Sequence, residues 1–223
     1  MKLRACLFVI TLIMVSMICG LGPSYATEKE TEVSPEKKED KIVILPFFKG
    51  RYGANINEIM DKPVANLSYD IEKVSPEAGS ILTGIVHEEM NSKYGNKISP
   101  LLDGIIVYDR IKKESEDTIR SHAKKAGELL KVNRVVVGYV WSYKRRIGSS
   151  MAASSPASVG FTICLIDVSN GKTLWKGSYE ESQKSLSDDI LKIKGFFERG
   201  AKWLTVEDLA RYGVKEIIKK FLY

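Results

Sequence analysis

The residue types that most often do chemistry in proteins are scarce and widely spaced in this chain of 223 residues. Only two histidines are present, His87 and His122. A zinc site or a nucleophile–base pair needs several side chains that converge on one point, and the sequence contains no HExxH, CxxC or GxSxG pattern. Both histidines fall on predicted helices and outside their apolar stripes, so we expect both at the surface or its boundary. We therefore predict no catalytic residue, no metal ion and no cofactor.

Pairs of neighbouring carboxylates are the other candidates for acid–base chemistry. The pairs of identical residues are Glu88 with Glu89, Glu180 with Glu181, and Asp188 with Asp189. Adjacent residues point in different directions on a helix or a strand, so the two carboxylates of a pair do not converge. We interpret these pairs as parts of solvated faces.

A basic run that follows two aromatic residues is the strongest candidate for binding. Lys144, Arg145 and Arg146 come directly after Trp141 and Tyr143. Basic residues beside aromatic ones can bind nucleic acid, but a net charge of +6 is modest for a protein that binds a polyanion. We expect no nucleic acid, and we predict contact with a partner protein or with anionic lipid headgroups.

The loop after this basic run, residues 147–157 (IGSSMAASSPA), consists mainly of small residues. Loops rich in Gly and Ser are commonly flexible connections between strands. The alternative is a hairpin that docks to a partner or touches a membrane, because Met151 and the alanines place apolar groups beside a basic stem. In that case Arg145, Arg146 and Met151 make the contact.

The longest stretch without helical or strand periodicity covers residues 47–74. A loop of this length within a compact domain is unusual and is often functional. Its Gly50-Arg51-Tyr52-Gly53 segment lacks the lysine of a phosphate-binding loop and does not run directly into a helix, so we expect no nucleotide there. Tyr52 is a further candidate for partner contact. The alternative function is a periplasmic hydrolase or small-ligand enzyme with its site in this loop.

The first 26 residues have the pattern of a secretory signal peptide. Lys2 and Arg4 precede an almost wholly apolar stretch over residues 5–21, and residues 24–26 (SYA) provide the small residues of a cleavage site before Thr27. We expect cleavage at that point. Export removes nucleic acid and ATP from the expected partners.

Two alternatives for this amino-terminal segment stay open. An apolar stretch of about 17 residues is near the lower limit for a membrane span, so a retained anchor is one of them. Lipidation of Cys19 is the other, since bacterial lipoproteins carry a cysteine just after the apolar region, although the preceding Ile18 is bulky for that processing. The mass of the mature amino terminus distinguishes the three outcomes.

A charged linker separates the signal segment from the fold. Residues 27–40 are densely charged with both signs and nearly lack apolar side chains, which predicts disorder. Residues 41–223 then form a single domain. After cleavage Cys164 is the only cysteine, and its apolar surroundings in the sequence predict a buried structural thiol.

The first half of the domain alternates between strands and helices. Residues 41–46 form a β-branched run that a proline closes, which predicts a strand. Ser75 and Gly95 mark the ends of an amphipathic helix. Residues 104–109 (GIIVYD) predict a second strand, and Ser115 is placed to cap a second helix. This order predicts parallel strands joined by crossovers.

The second half predicts antiparallel strands and then helices. Strands without intervening helices are predicted over residues 134–143, 158–168 and 172–183. Asn170-Gly171 favours a tight turn between the last two, since both residues accept positive φ. Helical patterns over residues 188–197 and 205–221 close the chain. The predicted fold class is therefore α/β, with a mixed sheet in βαβαβ order followed by an antiparallel meander, helices over the sheet and a helical carboxyl terminus.

Two segments, KIVILPF at residues 41–47 and CLIDVSNGKTLWKGSY at residues 164–179, resemble a group of bacterial envelope proteins. The group has the curli-secretion-channel and TolB-amino-terminal-like fold and includes the penicillin-binding-protein activator lipoproteins. The resemblance implies a non-enzymatic accessory role in envelope or surface-structure assembly. It implies a periplasmic location, with outer-membrane association as the alternative. The implied partner is another envelope protein, and a second copy of the chain is the alternative.

Overall fold

The sheet at the centre of the fold starts with a strand that a proline interrupts. A computed structural model describes residues 39–51, 56–112, 117–148, 153–155, 157–183 and 204–221. β1 (Glu39–Ile44) ends just before Pro46, which has no N–H to donate to a ladder. The chain then rejoins the sheet as β2 (Phe48–Lys49). The strand predicted over residues 41–46 is confirmed, and it starts slightly earlier than predicted.

The long strand β3 (Val132–Lys144) is central to a mixed sheet of five described strands. β1 and β2 both pair with β3 in parallel. On the other side β6 (Ser158–Asp167) pairs with β3, and β7 (Thr173–Ser182) pairs with β6, both antiparallel. A separate hairpin of β4 (Ile147–Gly148) and β5 (Ala153–Ser155) lies between β3 and β6 in the chain. The predicted mixed sheet is confirmed.

The turn between β6 and β7 differs from the predicted tight hairpin. Gly171 has a φ of +71°, but Asn170 does not have a positive φ. The N–H of Asp167 donates to the carbonyl oxygen of Lys172 at 2.9 Å, and the Asp167 carboxylate accepts from the N–H of Ser169 at 2.8 Å. Hydrogen bonds from Ser169 hold the pKa of Asp167 below its usual range. The turn therefore depends on this carboxylate as well as on glycine.

The helices of the described chain are α1 (Ile56–Met60), α2 (Ala78–Tyr94), α3 (Leu101–Ile111), α4 (Ile119–Leu129) and α5 (Val206–Lys219). α2 ends at Gly95, whose φ is +56°, as predicted. The predicted carboxyl-terminal helix is confirmed as α5, and Thr205 caps it by accepting from the N–H of Asp208 at 3.1 Å. The helix predicted over residues 188–197 lies outside the described residues.

Two features of the first half differ in detail from the prediction. The segment predicted as a loop over residues 47–74 contains β2, α1 and a 3-10 turn (Val64–Asn66). Thr118 caps α4 by accepting from the N–H of Ser121 at 3.1 Å, whereas the predicted cap, Ser115, lies outside the described residues. The Thr118 hydroxyl thereby accepts from an N–H of the first turn that has no partner within the helix.

Residues 104–109, predicted as a strand, belong to α3, so that prediction is wrong. The buried residues of α3 are Gly104, Val107 and Ile111, and their spacing of three and four residues defines one face of a helix. A short apolar run does not by itself distinguish a strand from a helix. β1 and β2 therefore connect to β3 through a crossover that contains α1 to α4, and among its described residues no strand lies between those helices.

Two apolar cores lie on the two faces of the sheet. α2 and α5 cover one face and pack on the alternating side chains of β6, namely Val159, Phe161, Ile163 and Leu165. α1, α3 and α4 cover the other face. There the buried side chains include Val43 and Leu45 of the β1 segment and Val135 and Val137 of β3. The parallel part of the sheet is therefore covered on both faces, as parallel strands require.

A buried hydrogen bond holds α2 against the break between β1 and β2. The N–H of Phe47 donates to the hydroxyl of Thr83 at 3.0 Å. That hydroxyl donates in turn to the carbonyl oxygen of Gly79 at 2.6 Å. A buried N–H without a partner costs about 1–3 kcal/mol, so Thr83 satisfies the donor that the proline break would otherwise leave unmatched.

Cys164 has the inert character that its sequence surroundings predict. Its side chain is 1% exposed in β6, and burial raises the pKa of the thiol to about 12. Because the thiolate is the reactive form, we expect the native protein at pH 8 to react with a maleimide at least about a thousandfold more slowly than the unfolded chain. Intact-mass measurement after timed labelling, with and without guanidinium, checks this. Equal rates in the two conditions would contradict it.

Candidate functional site

The end of the long 47–74 segment meets the basic run after β3 at one end of the sheet. The N–H of Tyr143 donates to the carbonyl oxygen of Lys73 at 2.7 Å, and the N–H of Ser75 donates to the carbonyl oxygen of Tyr143 at 3.3 Å. Val74 thereby forms a parallel bridge with Tyr143. The structure thus joins two segments that the sequence presents separately. We define the sheet-end surface as Lys73, Lys144, Arg145, Arg146 and Ile147.

Arg145 is the residue of this surface that connects it to α5. Its guanidinium Nη2 lies 3.5 Å from Oε1 of Glu207, an acid in the first turn of α5, where the helix dipole favours negative charge. The two side chains are 60% and 42% exposed. An ion pair this exposed contributes little to stability. Arg145 can therefore exchange Glu207 for another carboxylate at small cost.

The start of α2 brings a second acid to the same end of the sheet. Glu77 immediately precedes α2, and a backbone hydrogen bond lowers its pKa, with smaller contributions from the charges of Arg145 and Lys49. Lys49 itself donates to the hydroxyl of Tyr69 at 3.2 Å and to the carbonyl oxygen of Pro76 at 3.3 Å. The amino-terminal ends of α2 and α5 thus both present an acid near Arg145.

Tyr143 is the buried anchor beneath this surface. Its side chain is 1% exposed and lies in the core that α2 and α5 cover, with Val159 of β6 beside it. Burial raises the pKa of its phenol, so the group stays neutral and adds no charge. The exposed basic residues above it are therefore carried on a rigid support.

The hairpin that follows the basic run projects from this end of the sheet. β4 and β5 pair with each other, with Ile147 opposite Ser155 and Gly148 opposite Ala153. Ile147 is 61% exposed, which is high for a large apolar side chain next to a strand. Among the described residues, Ile147 is therefore an exposed aliphatic side chain directly beside the basic run.

A polar cavity of about 410 Å³ adjoins the sheet-end surface on the side of β7. Its lining includes two lysines, two glutamates and four serines: Lys73, Lys144, Glu180, Glu181, Ser142, Ser155, Ser158 and Ser182. The two carboxylates come from successive residues of a strand, so their side chains leave on opposite faces. Glu181 accepts a hydrogen bond from the hydroxyl of Tyr179. The cavity therefore offers mixed charge and hydroxyl groups rather than a converging pair of acids.

The predicted contact residues are only partly placed by the structure. Arg145 and Arg146 lie together on the sheet-end surface. Tyr52, Met151 and the predicted lipidation site Cys19 lie outside the described residues. Ile147 begins the loop over residues 147–157 that was predicted to dock. Lys73 and Glu207 were not named as contact residues, because no local pattern shows which distant segment lies beside the basic run.

The two histidines have different environments, and the prediction for one of them is wrong. His87 is half-buried, with Nε2 3.0 Å from the carbonyl oxygen of Ser99. His122, predicted at the surface or its boundary, is 1% exposed. Its ring lies 6.2 Å from that of Phe48 and 5.8 Å from that of Tyr108. His122 shares the buried face of α4 with Ile119, Ala123 and Ala126, so its position three residues after Ile119 places it on the apolar side of the helix.

The described part of the chain contains neither a metal-binding cluster nor a helix suited to span a membrane. No group of three or more His, Cys, Asp or Glu side chains there is placed to hold a metal ion. No helix there combines the length and apolar character that a membrane span needs.

Comparison with known proteins gives only a partial likeness to solved structures. No protein-family model matches the sequence, and no curated protein matches it. Solved structures with a partial likeness include a PelC dodecamer from Paraburkholderia phytofirmans, 15% identical, with a TM-score of 0.46 over 80% of this chain and 84% of that chain. The lipoprotein GNA1162 from Neisseria meningitidis is 16% identical, with a TM-score of 0.40 over 72% and 97% of the two chains. The LpoB carboxyl-terminal domain from Salmonella enterica is 12% identical, with a TM-score of 0.34 over 67% and 88%. At these identities and TM-scores none of them assigns a function to this chain.

Proposed function

We propose that the chain is an exported, non-enzymatic binding protein of the bacterial cell envelope that captures a protein partner at its sheet-end surface. The observation that carries the proposal is the exposure of Ile147, at 61%, beside a basic run. An aliphatic side chain flanked by exposed cations fits a partner surface that combines an apolar pocket with carboxylates. Export is the expectation from the signal-like residues 1–26.

Two cations of this surface, Lys73 and Arg145, are held in exposed ion pairs. The side chain of Lys73 is 64% exposed and its ammonium lies 3.4 Å from a carboxylate oxygen of Asp70. Arg145 and Glu207 make a similarly exposed pair. Exposed pairs are worth about 0–1 kcal/mol, so exchanging them for intermolecular pairs costs little. Complementary charge would then speed association and fix the orientation of the partner.

A photoreactive residue in place of Ile147, in cells that express the full chain, tests the proposal. Irradiation is expected to give one discrete protein adduct, which mass spectrometry identifies. The double variant Arg145→Glu with Arg146→Glu should lower the yield of that adduct at least about tenfold, because two attractive charges become repulsive. Circular dichroism of the purified variant should be unchanged, since both side chains lie at the surface.

The matched control reverses the charge of two lysines, Lys62→Glu with Lys131→Glu. Both lysines are exposed and lie outside the sheet-end surface. This control carries the same change in net charge and should leave the adduct yield within about twofold of the parent chain. If both double variants lower the adduct yield equally, the yield depends on net charge and not on the sheet-end surface. Adducts with lipid alone would mean that this surface contacts the membrane and not a protein. An unchanged adduct yield in the Arg145 and Arg146 variant would overturn the proposal.

A further inference from the structure

The outer edge of β7 has the pattern of a self-association site. β7 is the last strand of the sheet among the described residues, with β6 on its inner side. The N–H of Gln183 donates to the carbonyl oxygen of Ala157 at 3.0 Å, and the pairing with β6 is regular from Trp175 to Ser182. In an antiparallel ladder successive residues alternate between the two sides. The N–H and C=O groups of the even residues 176–182 therefore point away from β6.

The side chains of those same even residues are exposed on one face of the sheet. Lys176, Ser178, Glu180 and Ser182 are all exposed, whereas the intervening odd residues are half-buried against α5. An edge strand that carries a lysine is normally protected from pairing with other strands. Here a glutamate balances that lysine, and the two stand at equal distances on either side of Ser178.

This arrangement of charges is self-complementary in one register. If two copies of β7 pair antiparallel about a two-fold axis at Ser178, Lys176 of each copy stands opposite Glu180 of the other. A pairing centred on Lys176 would place lysine against lysine, and one centred on Glu180 would place glutamate against glutamate. Opposite charges across a strand pair stabilise it and like charges destabilise it. The charges therefore favour one register and oppose its neighbours.

The space beside the edge is compatible with an added strand. A cavity of about 320 Å³ lies between β7 and α5, with Gly177, Glu216 and Lys220 among its lining residues. Gly177 leaves the strand without a side chain on the α5 side, where a Cβ would overlap Trp175 and Ile217. In the register centred on Ser178, Tyr179 of the second copy stands opposite this glycine. The ring of that tyrosine would therefore meet the side chains of Trp175 and Ile217, which cover Gly177.

We propose that the chain forms a two-fold dimer in which β7 of one copy pairs antiparallel with β7 of the other, with Ser178 on the axis. The two sheets become continuous, and each copy uses the same surface, as a two-fold interface requires. This proposal is independent of partner capture at the sheet-end surface.

Charge reversal tests the pairing, with sedimentation analysis of protein purified from cells that express the full chain. Lys176→Glu and Glu180→Lys should each weaken the dimer at least about tenfold, because each single change makes two symmetry-related pairs repulsive. The double variant Lys176→Glu with Glu180→Lys should restore the affinity to within about threefold. Lys62→Glu, which changes the same charge away from this edge, should leave it unaltered.

Cysteine cross-linking tests the register. Opposed residues that exchange hydrogen bonds have Cα atoms about 5.5 Å apart, a separation that a disulfide can bridge. Ser178→Cys should therefore form a covalent dimer on mild oxidation. Lys176→Cys places the cysteine opposite Glu180 of the other copy, so this variant should form at least about tenfold less covalent dimer. The buried Cys164 does not interfere with this readout.

Two results would overturn the proposal. The first is a monomer at all concentrations without a Ser178→Cys cross-link, as when the chain's own residues 184–203 occupy the edge. The second is a dimer whose affinity is the same in both single charge variants, which would place its interface elsewhere. Loss of the Ile147 adduct has no bearing on either result, so the two proposals fail separately.

Discussion

Gly104→Ala is expected to destabilise the protein by about 3 kcal/mol or more. Gly104 lies on the buried face of α3, and a Cβ at this position would overlap the carbonyl oxygen of Ile44. That oxygen belongs to the backbone of β1 and cannot rotate away, so the helix or the strand must move. Urea unfolding monitored by circular dichroism measures the loss as a lower midpoint with an unchanged slope.

Gly84→Ala is the matched control for this substitution. Gly84 is also inside a helix, α2, but a Cβ there meets no atom of the described residues within 4 Å. Alanine restricts the unfolded chain more than glycine does and has a higher helix propensity, so this variant should be about 0.5–1 kcal/mol more stable than the parent. Equal effects of the two substitutions would contradict the close approach of α3 to β1.

Phe161→Ala is expected to cost about 3–5 kcal/mol of unfolding free energy. Phe161 is completely buried in β6. Its ring lies 6.3 Å from the ring of Phe47 and 6.0 Å from that of Tyr179, so it connects the segment after β1 to β7 through one core. The truncation removes the contacts with Phe47 and Tyr179 and leaves a cavity that the surrounding strands cannot close. The same unfolding measurement gives the magnitude.

Ile71→Ala separates this effect from the general loss of an apolar side chain. Ile71 is 69% exposed, so its truncation should change the unfolding free energy by less than about 0.5 kcal/mol. A cost below about 1 kcal/mol for Phe161→Ala would mean that the core between α2, α5 and the sheet is not close-packed.

The candidate site could be predicted from the sequence only in part. The basic run at Arg145 and Arg146 is a local pattern, and it lies on the exposed end of β3 as its composition predicts. The contact of this run with Lys73 and Glu207 depends on which segments of the chain become neighbours. The periodicity of a segment shows which of its residues are buried, but it does not show which other segment buries them.

The two wrong predictions have different origins. α3 carries an apolar run that fits either a strand or a helix, and its buried set of Gly104, Val107 and Ile111 is recognisable only when the covering partner is known. His122 lies on the buried face of α4, where the rings of Phe48 and Tyr108 cover it. A polar residue type therefore hid a position that the helical spacing places inside.

The sequence by itself determined the elements whose signals are local. These include the strand closed by Pro46, the alternation along β6, the helix end at Gly95 and the helical carboxyl terminus, and each follows from backbone restrictions or from a repeat along one segment. The tertiary structure alone decided that α3 is a helix against β1, that α2 and α5 share one face of the sheet, and that Lys73 lies beside β3. It also decided that β7 is the outer strand of the described sheet. Those features depend on contacts between residues far apart in the chain, where burial and backbone pairing outweigh local preference.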